Sequence, residues 1–267
     1  LVMRKSQVAA MALTVLCAGV VVMCRQPLNV SEADQSGKTL TPLMAAAERG
    51  SLLAVARLLA NGADANRAGP DGRTSLQCGA ASDNLAVVRA LLAAGANVRA
   101  RSPDGYTALH AVARGRNVRI AELLIAAGAD VNARTSDNVT PLSVSVSSSY
   151  SDTKMTVALI RAGADVNATD ANGESVLQLA VTDSPPEVVD ELLKNGANPN
   201  VRYPRPTGNT PLHLAALNGS TRKVQLLLEH GADPTIQNDR GDTPLDVTNV
   251  RFEEVREILT KHVNRRH

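Results

Sequence analysis

The sequence predicts an all-α solenoid: six tandem helix-turn-helix units with projecting hairpin loops, then a shorter capping unit. Three observations lead there. A Thr or Ser followed two residues later by Leu recurs at Thr41, Thr74, Thr107, Thr140, Ser175, Thr210 and Thr243, at spacings of 33, 33, 33, 35, 35 and 33 residues. A Gly-Ala-Asp or Gly-Ala-Asn triplet follows each of the first six, at Gly62, Gly95, Gly128, Gly163, Gly196 and Gly231. Aromatic side chains are nearly absent, with Tyr106, Tyr150, Tyr203 and Phe252 but no Trp among 267 residues. A fixed period of this length is the signature of a repeat architecture, and small apolar residues suit closely packed helices.

The N-terminus stands outside the period. Arg4 and Lys5 precede an uncharged run of 17 residues, Val8 to Cys24. As a helix this run spans ~25 Å, short of a ~30 Å hydrocarbon core. It predicts an export segment over residues 1–24, with the basic residues left on the cytoplasmic side. The leading expectation is a cleaved signal, with Ser31-Glu32-Ala33 offering small residues to a peptidase. The alternatives are an uncleaved membrane anchor over residues 8–24 and a lipoprotein acylated at Cys24. Residues 25–35 then form a linker, 36–261 the repeat array and 262–267 a tail.

Within each unit the sequence supplies starts and stops. The Thr or Ser is a plausible N-cap, and Pro follows it at Pro42, Pro141 and Pro211. A second helix is marked by apolar pairs at Leu58-Leu59, Leu91-Leu92, Leu124-Ile125, Leu159-Ile160, Leu192-Leu193 and Leu227-Leu228. In the sixth unit, Val224, Leu227 and Leu228 lie on one helical face, and burial of such pairs is worth about 1.5–3 kcal/mol per side chain. The recurrent Gly ends the second helix in a left-handed cap. Asp71-Gly72, Asp104-Gly105 and Asn172-Gly173 carry the turn chemistry of a projecting hairpin. Ser184-Pro185-Pro186-Glu187 reads as a capping box.

Two units depart from the pattern. The fourth reads PLSVSVSSSYS over 141–151, whose alternation favours a strand by propensity alone. The repeat frame predicts a helix over 141–147, with the two extra residues in the loop that follows. The last unit is charged, FEEVREILTKH, and reads as a C-terminal cap with Phe252 filling a gap. No comparable polar cap precedes Thr41, so residues 28–38 cover that face or leave it adhesive.

The period and its motifs resemble the ankyrin repeat family. The residues that carry the resemblance are TPLMAAA at 41–47, TALHAVA at 107–113 and TPLHLAA at 210–216, with NGADAN, AGADVN and HGADPT closing the units, over about residues 36–261. The resemblance implies a protein-binding module whose hairpin tips and first helices line a concave face. It also implies that His110 and His213, at the TPLH position, hydrogen-bond between repeats.

Composition argues against several other classes. Outside residues 1–24 there are 26 Lys and Arg against 26 Asp and Glu, so no basic surface points to nucleic acid. Cys78 is alone in the body and reads as a buried small hydrophobe. His230 precedes a helix-ending Gly, where the helix dipole suits it. No His stands at ligand spacing from Cys, Asp or Glu, Ser36-Gly37-Lys38-Thr39 lacks the first Gly of a phosphate loop, and no nucleophile motif occurs. Neither metal nor cofactor is called for, and the chain is not expected to be an enzyme.

The candidate partner-binding residues lie in the hairpins: Arg67 and Arg73 in the first, Arg99, Arg101 and Tyr106 in the second, Arg134 in the third, and Arg202, Tyr203 and Arg205 in the fifth. The fifth reads NPNVRYPRPTGN, and its Gly196-to-Thr210 interval is 14 residues against 12 in the other five. Insertion in a tip leaves stacking undisturbed, Pro reduces what binding must order, and Tyr and Arg are enriched at binding hot spots. The expectation is a monomeric, exported scaffold, accessory factor or inhibitor holding one protein partner. Its arginines favour an acidic surface, and it meets the membrane only through its N-terminal segment. A membrane-tethered adaptor is the alternative, and an enzyme with a site on the groove a more distant one.

Overall fold

The computed structural model describes residues 40–115, 117–147, 153–204 and 207–264. The described residues are helical and contain no strand; Thr169 and Ser175 form an isolated bridge. Helices α1 (Pro42–Glu48) and α2 (Leu52–Ala60) make the first pair, and α3 (Ser75–Ala81) and α4 (Leu85–Ala93) the second. The pairs α5 (Ala108–Ala113) with α6 (Val118–Ala126), α7 (Pro141–Val146) with α8 (Thr153–Arg161), α9 (Val176–Asp183) with α10 (Pro186–Lys194), and α11 (Pro211–Leu217) with α12 (Thr221–Glu229) follow, then α13 (Glu253–Asn264).

These helices fall into two compact units. One comprises the described residues up to Val112 with Glu122–Ala129; the other comprises the described residues of Ala113–Ala121 and those from Asp130 onward. In the first, α1 packs on α2 and α3, and α4 on α2 and α3. In the second, the first helices α7, α9 and α11 pack in sequence, as do the second helices α8, α10 and α12, with α13 on α12. Small residues permit the close approach. A Cβ at Gly79 of α3 would lie 3.1 Å from Leu91 and Val87 of α4.

The caps follow the sequence with instructive exceptions. Thr41, Thr140, Ser175 and Thr210 each accept a hydrogen bond from the backbone N–H three residues on. Thr74 differs: its backbone N–H donates to Gln77 Oε1 at 2.7 Å, while its own Oγ1 is buried without a partner. Thr243 opens turns rather than a helix, so the last repeat keeps only its second helix, α13. The expected capping box at Ser184 does not form. Pro185 occupies the cap of α10 and has no side-chain acceptor to offer, and Ser184 Oγ instead donates to Val146 O at 2.7 Å.

Helix α7 follows the repeat frame over its β-propensity. Every residue of it is buried, and its serines satisfy themselves within the turn. Ser145 Oγ donates to Leu142 O and Ser147 Oγ to Ser143 O, both at 2.8 Å. The six-residue interval 147–152 separates α7 from α8, the longest gap within any of the six pairs; residues 148–152 and Tyr150 lie outside the described residues. The apolar pairs of the second helices divide labour. Leu91, Leu124, Leu159, Leu192 and Leu227 are fully buried, whereas Leu92, Ile125, Ile160 and Leu228 remain half-exposed. Burial of both members is therefore corrected: only Leu192-Leu193 is buried throughout, four pairs bury the first member and leave the second half-exposed, and Leu58 and Leu59 are both half-buried. Phe252 fills its gap as expected, its ring within 2.5 Å of where a Gly219 Cβ would stand.

Candidate functional site

Each projecting segment is a tight loop closed by one backbone bond. Gly69 N–H donates to Arg73 O, Ser102 to Tyr106, Thr135 to Val139, Asp170 to Glu174 and Asn238 to Asp242, each spanning four residues at 2.8–3.0 Å. The fifth closes from Tyr203 N–H to Asn209 O at 2.8 Å, spanning six. The two extra residues of the fifth interval thus lie inside the loop tip. Arg205 and Pro206 of that tip lie outside the described residues.

Side-chain amides tie successive loops together. Asn66 Nδ2 donates to Gly95 O, Asn132 to Gly163, Asn167 to Gly196 and Asn200 to Gly231, at 3.0–3.1 Å. Their Oδ1 atoms accept from the backbone N–H of Asn97, Asp165, Asn198 and Asp233. Arg99 stands where this series has Asn, and its Nε donates to Gly128 O at 2.8 Å. The signal was in the sequence as the Asn four residues after Gly62, Gly128, Gly163 and Gly196, but turn chemistry alone did not expose its bridging role.

The candidate residues are largely built into this bracing. Arg73 Nε bonds Asp71 Oδ2 at 2.5 Å. Burial pushes the Asp71 carboxyl up, but bonds from the Arg73 side chain and backbone outweigh it and hold the group below its usual value. Arg134 Nη1 donates to Thr169 O at 3.2 Å, with Nη2 3.9 Å from Asp165. Tyr106 lies against His110, ring centres 5.0 Å apart, and its hydroxyl donates to His110 O at 3.3 Å. Arg67 and Arg101 are exposed in the first and second loops.

In the fifth loop, Arg202 Nη2 reaches Asp239 Oδ1 of the following loop at 3.0 Å. Pro204 lies over Gly173 of the preceding loop, where a Cβ would meet its Cγ at 2.4 Å. Arg202, Tyr203 and Pro204 therefore belong to a tip held from both sides. The charge of Glu174, then burial and Asp170, raise the Tyr203 phenol above its ordinary range, so it remains a hydroxyl donor at neutral pH. Burial, then Asp170 and Asp183, raise Glu174 in turn. Asp170 and Glu174 were absent from the sequence-derived candidates, because their proximity to Tyr203 is a property of adjacent loops.

Beneath the loops a second series links the first helices. Gln77 Nε2 donates to Tyr106 O at 2.6 Å, Gln178 Nε2 to Asn209 O at 3.1 Å and His213 Nε2 to Asp242 O at 3.0 Å. Each acceptor precedes the Thr that opens the next repeat. His213 Nδ1 accepts from Thr210 N–H at 3.2 Å, so the ring is the neutral Nε2–H tautomer. Burial, only partly offset by Asp242 O, holds its pKa below the ordinary histidine value. The inter-repeat bond implied for His213 is present. His110 Nδ1 sits on Thr107 in the same way, at 2.8 Å from Oγ1.

Among the described residues no helix is long and apolar enough to cross a membrane, and no three His, Cys, Asp or Glu side chains cluster as metal ligands. Cys78 is buried and forms no disulfide among the described residues. The family model described as Ankyrin repeats (3 copies) matches residues 19–102, 95–170 and 147–238. No curated protein matches the chain. Among solved structures, the human ASB11 ankyrin repeat domain is 24% identical with a TM-score of 0.71, covering 83% of this chain and 97% of that one. The ankyrin repeat domain of Bcl-3, a member of the IkappaB protein family, is 32% identical with a TM-score of 0.71, covering 83% and 98%.

Proposed function

This chain belongs to the ankyrin repeat family, an all-α solenoid fold whose domains are generally protein–protein interaction modules, and from that premise we propose that it is an exported, non-enzymatic module holding one protein partner through its loop tips and first helices. The observation that carries the reading is the fifth tip. It is longer than its neighbours, yet Arg202 and Pro204 fasten it to both, so the extra length costs little ordering on binding. Tyr203 offers a hydroxyl donor beside carboxylates, and the other tips add Arg67, Arg73, Arg99, Arg101, Tyr106 and Arg134. Because several of these arginines are spent on neighbouring carbonyls and carboxylates, recognition here uses the shape of the tip and its Tyr as much as positive charge. The uncharged run Val8–Cys24 serves as the export segment.

Affinity capture with the full chain and with the variant R202S/Y203S/R205S tests both parts. A protein retained by the parent chain and lost by a variant of unchanged circular dichroism is the expected result. Equal retention by both removes the fifth tip from the interface, and retention by neither removes the binding reading for that extract. The mass of the chain recovered outside the cytoplasm reports export.

A further inference from the structure

The first repeat has no preceding repeat among the described residues, and one face of its second helix shows it. In the repeat frame, Ala54 and Leu58 of α2 correspond to Val87 and Leu91, Ile120 and Leu124, Met155 and Leu159, Val188 and Leu192, and Lys223 and Leu227. All of those counterparts are buried, the leucines to 0% exposure. Ala54 and Leu58 are only half-buried. Beside them Leu53 is 70% exposed. Its position holds Ala86, Arg119, Lys154, Glu187 and Arg222 in the other repeats. An outward leucine next to two under-covered core positions makes an apolar strip on α2 that solvent does not suit.

We propose that this strip is the seat of residues 25–39 of the same chain, folded back so that Leu28 and Val30 cover Leu53, Ala54 and Leu58. Leu40 is 4% exposed, so the chain is already against the body where this segment joins it. Leu28 and Val30 are the only Leu, Ile, Val, Met or aromatic residues in the segment; Ser31, Glu32, Asp34, Gln35, Ser36 and Lys38 supply the polar outer surface that a terminal cap requires. From Leu28 to Thr39 an extended chain reaches about 35 Å, more than the ~14 Å length of a nine-residue helix. The family match begins at residue 19, ahead of Thr41. Cleavage after Ala33 would remove both apolar residues, and the proposal places any processing before Leu28 instead. It stands independently of the partner-binding reading.

The test uses the full chain with Cys17, Cys24 and Cys78 changed to Ser. The pair L28C/L53C is oxidised with copper phenanthroline and compared with L28C/R222C, whose second site is an equally outward position on α12. A disulfide needs Cα atoms within about 7 Å. The expected result is an intrachain bond in L28C/L53C forming at least tenfold faster than in the control pair. Equal slow formation in both overturns the proposal. So does preferential covalent dimerisation through L53C, which would assign the strip to a second copy. In the chain with its native cysteines, L28D/V30D should speed amide exchange in α1 and α2 about tenfold or more while leaving α11 and α12 unchanged. Unchanged exchange in α2 also overturns it.

Discussion

The fourth and sixth repeats begin alike, Thr140-Pro141-Leu142 and Thr210-Pro211-Leu212, and are joined to the chain around them by different means. In the sixth, His213 spans from Thr210 to Asp242 O and so reaches the next repeat. In the fourth, Ser143 occupies the same position, and its Oγ ends on Thr140 Oγ1 at 2.9 Å. The two first helices also end differently. Gly219, at φ +65, turns its N–H back to Ala216 O at 3.1 Å. No glycine follows α7, and the equivalent carbonyl, Val146 O, is met by Ser184 Oγ from the repeat beyond. The fifth repeat repeats that solution. Pro185 and Pro186 have no N–H to turn back, and Val181 O accepts from Lys223 Nζ of the sixth repeat at 2.6 Å. A helix end that its own loop cannot satisfy is satisfied by the neighbour, and the cost is a polar side chain in a core position.

The largest effect should come from breaking the histidine link. H213A leaves a cavity and an unpaired Asp242 carbonyl, and urea unfolding should report a loss of about 3 kcal/mol. H213Q should recover most of it, because Gln77 and Gln178 already make the same bond. The two should also differ in acid. The folded pKa of His213 is depressed, so the unfolded chain binds more protons and stability rises with pH. The His213 contribution is complete above the ordinary histidine value of about 6.5 and is lost as pH falls below it. Urea midpoints between about pH 6.5 and 4.5 should therefore fall more steeply in the parent than in H213Q. Parallel slopes would mean that the ring is not buried neutral.

Lys223 separates polar pairing from packing. K223A should cost about 2 kcal/mol, by leaving Val181 O unpaired and a void where Val87, Ile120, Met155 and Val188 stand in other repeats. K223M keeps the volume and removes a charge whose pKa burial already lowers, and it should cost less than about 1 kcal/mol. If both variants lose the same amount, the bond to Val181 matters more than the space. S184A removes the corresponding donor to Val146 O and should cost about 1 kcal/mol in the same assay, since less volume is lost.

Much of this was legible beforehand. The period located every helix pair because Thr, Leu and Gly recur for local reasons, a cap, a core contact and a left-handed stop. The helix at 141–146 was readable against its own propensity because the frame on both sides was intact. What resisted reading was non-local. Ser184 looked like a cap because Glu187 follows it at the right spacing, yet its hydroxyl is used 38 residues away. Lys223 was not singled out by the helical pattern of Val224, Leu227 and Leu228, and only the proline pair one repeat earlier explains its burial. In the candidate site the arginines were visible as a residue type, but their partners, Asp239 for Arg202 and Thr169 O for Arg134, belong to adjacent loops. The length of the fifth tip could be counted; the Pro204 contact with Gly173 that fastens it could not.

The smallest and most discriminating change is S143Q. If the fourth repeat lacks a link only because serine is short, a glutamine there should span from Thr140 to Glu174 O, as Gln178 spans from Ser175 to Asn209 O. One added buried bond is worth about 0.5–1 kcal/mol, set against the strain of three extra heavy atoms at a position that is 2% exposed. A gain of up to about 0.5 kcal/mol in urea unfolding would show that the repeats differ by side-chain reach alone. A loss would show that α7 is packed around serine, and that its bonds to its own turn are the reason a Val- and Ser-rich stretch can occupy a helix at all.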